Sequence, residues 1–118
     1  MPGFSVNAKN GMLGQARGRI THLSLHTADP GSAGDNEVSG NGYTRVAVTA
    51  ADFSTPAAGE FTLTDGQTFA GPANGACTHF AAWDDTEYLG GGAITGDTSF
   101  NAEGVFILQS GTAFDLNG

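Results

Sequence analysis

A chain of 118 residues suffices for one domain and is too short for two comfortable ones. Glycine fills 19 positions, and each glycine inside regular structure costs roughly 0.5–1 kcal/mol of extra entropy, which excludes a mainly helical protein. The net charge of −8 with only four basic residues excludes a typical nucleic-acid binder, which needs roughly six to ten phosphate contacts.

Residues 1–19 have no regular apolar period and contain Gly3, Gly11, Gly14 and Gly18. They read as an extended N-terminal arm ahead of a β domain at 20–118. Lys9, Arg17, Arg19 and Arg45 all lie in the first 45 positions, whereas Val46 to Gly118 holds nine acids and no Lys or Arg. A basic arm on an acidic body points to a partner. Phe4, Val6, Lys9, Arg17 and Arg19 are therefore the residues expected to reach a neighbouring subunit. The opening MPGFSVNAKNG lacks the basic start and apolar core of a signal peptide, so synthesis in a cytosol is expected. No apolar run exceeds Val105 to Leu108, and no membrane span is expected.

From Ile20 the pattern is that of strands. Leu23 and Leu25 alternate with His22, Ser24 and His26, which predicts a half-buried strand. Residues 28–42, ADPGSAGDNEVSGNG, form a long loop dense in turn residues. Tyr43 to Thr49 alternates again, with Val46 and Val48 on one face and Tyr43 and Arg45 on the other. Phe61 and Leu63 point inward from EFTLT, and Asp65-Gly66 predicts a tight hairpin into Gln67 to Phe69. Cys77 to Trp83 reads as a central strand with Phe80 and Trp83 on opposite faces. The run Gly90 to Gly92 predicts a bulge or a close backbone approach. Short strands follow at Val105 to Leu108 and Ala113 to Leu116. About eight short strands at even spacing predict an all-β, single-domain antiparallel β-sandwich or jelly roll.

The turn Asp29-Pro30-Gly31 has a mechanism, since proline presets φ and glycine tolerates a positive one. Asn36 and Glu37 are placed to order the loop, and the Arg45 guanidinium can pair with Glu37 from the face it shares with Tyr43.

Catalytic and metal chemistry finds little support. His22 and His26 lie on one strand roughly 13 Å apart, too far for a shared zinc ion, with His79 the only other histidine. Asp84, Asp85 and Glu87 cluster at a turn without an EF-hand pattern. Cys77 and His79 face one way about 6–7 Å apart with no orienting acid. No serine sits in a G-x-S-x-G elbow. The lone Cys77 permits no intrachain disulfide. The expectation is a binding protein with no cofactor, no metal and no enzymatic activity.

Residues 23–43, LSLHTADPGSAGDNEVSGNGY, continuing to Arg45, resemble the SLHTADPG…NEVSG..Y.R signature of small phage virion proteins of the head-decoration or tail-fibre-like type. THFAAWDD and VFILQSGTAFDLN are similar to later strands of the same proteins, so the resemblance spans about residues 20–116. The chain departs from that pattern in its basic arm and its Gly90–Gly92 run. The resemblance implies a capsid decoration or cement protein on the head surface of a virion, a homotrimer whose partner is the major capsid protein, stabilising the shell by binding only its assembled state. The alternatives are a tail or fibre-associated virion protein, or a carbohydrate-binding module for host attachment that would use Trp83, Tyr43 or Tyr88.

Overall fold

A computed structural model describes residues 5–115. The chain is mostly β, as its alternation predicts. Helix α1 (Val6–Arg19) leads into β1 (His22–His26) and β2 (Val46–Ala47); a 3-10 turn (Ala50–Asp52) then precedes β3 (Glu60–Thr62) and β4 (Gln67–Ala70). The remaining strands are β5 (His79–Asp84), β6 (Glu87–Ala93), β7 (Val105–Leu108) and β8 (Ala113–Asp115). They form three antiparallel sheets, ordered β2-β1-β5-β6, β3-β8 and β4-β7.

The three sheets close on one core. Leu23 and Leu25 of β1, Phe61 of β3, Phe69 of β4, Phe80 of β5 and Phe106 and Leu108 of β7 are all buried in a single cluster. Phe114 of β8 stacks on Phe61 at 5.1 Å and meets Phe53 and Phe80 edge-on, tying the small β3-β8 sheet to the larger one. Such ring pairs add about 0.5–1.5 kcal/mol each beyond area burial.

Within residues 1–19, the described part differs from the extended arm its composition suggests. Val6 to Arg19 is α-helical, capped by Ser5, whose hydroxyl accepts from the Ala8 N–H at 3.1 Å. The helix has a basic last turn, Arg17 and Arg19, which suits its negative C-terminal end. Leu13 and Ile20 are buried in the common core, so the segment is docked. Tertiary packing stabilises a helix whose glycines would otherwise disfavour it. Gly11, Gly14 and Gly18 face open space and obstruct nothing.

Three further expectations are corrected. β1 is not half-buried: from Leu23 to His26 both faces are covered, and Ser24 and His26 are fully buried. Asp65-Gly66 does not close a hairpin, because β3 pairs with β8 and β4 with β7. It passes the chain from one sheet to another. The Tyr43–Thr49 strand shortens to two paired residues. β5 is central, between β1 and β6, as its composition indicates. The Gly90–Gly92 run lies beside a β-bulge, and a Cβ at Gly91 would sit 2.4 Å from the Phe80 carbonyl oxygen.

Candidate functional site

The loop between β1 and β2 holds the residues singled out as ordering it. It leaves β1 at His26 and returns beside it, closed by Thr27 N–H to Asn36 O at 2.9 Å and Val38 N–H to Leu25 O at 2.9 Å. Inside this flap, Asp29 Oδ1 accepts from the Gly31 N–H at 2.8 Å, and the Pro30 carbonyl accepts from Gly34 and Asp35. Asn36 Nδ2 donates to the Asp29 carbonyl at 3.0 Å. Gly31 and Asn36 both adopt positive φ, which glycine and asparagine tolerate. Pro30 is fully buried, so the turn is plugged into the domain.

Glu37 sits at the root of the flap. Arg45 donates to it twice, Nε to Oε2 at 3.0 Å and Nη2 to Oε1 at 2.9 Å, and the Tyr43 hydroxyl donates to Oε2 at 2.9 Å. Burial pushes the Glu37 carboxyl up, but the Arg45 and Tyr43 hydrogen bonds and the Arg45 charge outweigh it, and its pKa lies below the usual 4.5. Burial raises the Tyr43 phenol, keeping it protonated as a donor. That phenol oxygen also accepts the Leu25 N–H at 2.9 Å. The Arg45 guanidinium lies 3.6 Å from the Trp83 ring centroid, a cation–π contact.

Trp83 joins this ion pair to a second network, centred on the fully buried Ser24 and His26. Its Nε1–H donates to Ser24 Oγ at 2.7 Å, and Ser24 Oγ is 2.7 Å from His26 Nε2. His26 Nδ1 is 2.7 Å from the Asp35 carbonyl, which can only accept, so Nδ1 carries the proton and Nε2 accepts from the serine hydroxyl. The neutral imidazole satisfies every group. Burial accordingly holds His26 below its usual 6.5. Sequence reasoning missed this network because alternation assigned Ser24 and His26 to solvent. The bulky Trp83 on the same outer face was the available signal.

The arm residues are placed differently. Phe4 lies outside the described residues, as do the side chains of Val6 and Lys9. Arg17 donates to the Phe53 carbonyl through Nη2 at 3.0 Å. Arg19 bridges Asp84 at 3.0 Å and Glu87 at 3.0 Å. Both guanidiniums expected to reach a neighbour are thus engaged within the chain, and two acids weighed as calcium ligands pair with Arg19. Among the described residues, no group of three or more His, Cys, Asp or Glu side chains is placed to hold a metal ion. Cys77 is fully buried, and burial, helped by Asp97, pushes its thiol up to about 12. An activated nucleophile needs the opposite shift.

The described helix is not long and apolar enough to cross a membrane. The site is thus a rigid flap on a β domain, locked by one ion pair and one buried polar network. The family described as Podophage GP4 fiber I protein gp80 matches residues 14–111, from the middle of α1 through β7. No curated protein and no solved structure matches the chain. With most of its length matched, including the whole flap, the chain belongs to the podophage GP4 fiber I protein gp80 family.

Proposed function

We propose that this phage structural protein is a fibre-associated component of the virion that works by binding other particle proteins and not by catalysis. The observation that carries the reading is the family match over residues 14–111. The chemistry is consistent with it. Charged side chains make up only 14% of the chain, so its surface can pack against a neighbour with little charge desolvation. Of the groups weighed for catalysis or metal binding, His26 is engaged in a satisfied network and Asp84 and Glu87 in ion pairs with Arg19.

The head-decoration reading drawn from the SLHTADPG…NEVSG resemblance makes a different prediction about position. Particles lacking the protein, mixed with a tagged purified chain and imaged by cryo-electron microscopy, separate the two. Added density on the tail or fibres is the expected result. Density confined to the head shell would overturn the fibre assignment in favour of decoration.

A further inference from the structure

β6 is the last strand of its sheet, with β5 on one side and no strand on the other among the described residues. Successive residues of an antiparallel strand turn their N–H and C=O alternately toward the partner and away. The Ile94 N–H to Thr78 C=O bond sets the phase, and the register runs on through Phe80↔Gly92 and Ala82↔Gly90. Gly90 and Gly92 therefore bond to β5, while Gly91 and Ala93 present their backbone groups to the open side.

A trough lies against these β6 residues. One cavity of about 420 Å³ is lined by Leu13 and Ala16 of α1, Leu89 to Ala93 of β6, and Phe114 of β8. A second of about 290 Å³ continues past Ile94 and Asp97 to the exposed Ile107. Phe80, Ala93 and Ala113 line both, so the two form one elongated groove between β6 and β8. A Cβ at Gly90 would meet nothing within 4 Å, so the groove has unfilled space beside the glycine run. Natural sheets blunt exposed edges with charge, proline or a covering element. Leu89 to Ala93 uses none of these.

We propose that this groove receives an extended segment of a partner virion protein, which adds a strand to the free edge of β6 and fills the trough with its side chains. The segment carries apolar side chains at alternate positions and a basic residue at the end that meets Asp97. A second copy of this chain fits less well. Its own β6 has no side chains at Gly90 to Gly92 with which to fill the trough, and two chains of net charge −8 repel each other. Asp97 makes no ion pair among the described residues, and a body with no Lys or Arg after Arg45 attracts a cationic segment. Seven residues of β6 span about 23 Å, enough for a strand-addition contact. The inference rests on the chain being a virion structural protein, wherever on the particle it sits.

Two variants and one exchange measurement test it. Gly90→Leu starts from a Cβ that meets nothing within 4 Å and extends its side chain into the trough, and Ala93→Pro removes an outward N–H that no internal bond needs. Both should keep the wild-type circular dichroism and melting temperature while weakening binding to particles lacking the protein by about tenfold or more, the worth of one or two hydrogen bonds. The Gly91 and Ala93 amides should exchange rapidly in the free chain and slowly on the particle. Wild-type affinity in both variants would overturn the groove alone. Protection of those amides in the free monomer would assign the groove to the chain's own terminus, and protection that grows with concentration would assign it to a second copy; either overturns the proposal. A wild-type chain that fails to bind particles at all would overturn the virion reading and the groove together.

Discussion

Glu37 is the residue on which the flap depends. It is one acceptor shared by three donor hydrogens, two from Arg45 and one from Tyr43. The side chains of Arg45 and Glu37 are 30% and 23% exposed, so the pair is sheltered enough to matter. Replacing Glu37 with Ala leaves a guanidinium and a phenol without their acceptor, and chemical denaturation should show a loss of about 2–3 kcal/mol. Arg45→Lys keeps the charge but loses the two-pronged bond and the planar contact with Trp83, and should recover only part of that stability. His26 adds a pH dependence. Its pKa is held below 6.5 in the folded chain, so below that pH the unfolded state takes up the proton more readily. Stability is therefore fullest above pH 6.5 and declines as pH falls toward the folded-state value. The Glu37 carboxyl, also lowered, adds a second decline below about 4.5. Melting temperatures measured from pH 8 to pH 4 should fall on that schedule, and His26→Gln should flatten the upper part of the curve.

At the scale of the element, α1 shows a helix formed against its propensities. Three glycines in a 14-residue helix each weaken it, and the compensation comes from the Ser5 cap, the docked Leu13 and the Arg17 and Arg19 anchors. Gly14 lies on an open face and has no positive φ. Gly14→Ala should therefore raise stability by about 0.5–1 kcal/mol in thermal unfolding, because alanine removes chain entropy without a clash. Gly34 is the opposite case. Its φ is +78°, and a Cβ there would lie 2.7 Å from the Trp83 ring. Gly34→Ala should destabilise the flap and quench the near-ultraviolet tryptophan signal. One change of the same type thus has opposite effects at two positions, decided by local space.

The whole molecule is one core shared by three sheets, and Cys77 reports on it. The thiol is fully buried and its pKa is raised to about 12, so neither access nor ionisation favours reaction. Labelling by a thiol reagent should be negligible in the native state and complete in denaturant, with a midpoint matching the global transition. An earlier midpoint would mean that the region around Cys77 opens separately. The same whole-molecule view places the Arg19 bridge to Asp84 and Glu87: it fastens the helix end to the β5–β6 turn across the surface.

The sequence by itself determined the β character, since alternation at Leu23/Leu25 and Phe61/Leu63 and the density of turn residues demand short strands. It also determined the chemistry of the flap: Asp29-Pro30-Gly31, Asn36 and the Glu37–Arg45 pair lie close enough along the chain for local rules to relate them. What it left undecided depends on residues far apart. Ser24 and His26 look solvent-facing until Trp83, brought alongside by the β1–β5 register, bonds to Ser24 and the Asp35 carbonyl of the flap meets His26. Residues 6–19 look extended because helix propensity there is poor, and the Ser5 cap, docking against β3 and the 3-10 turn, and the Arg17 and Arg19 contacts offset it. Asp65-Gly66 resembles a hairpin because turn chemistry specifies the bend but not the partner. Strand partners β8 and β7 come from the far end of the chain, and tertiary packing alone selects them.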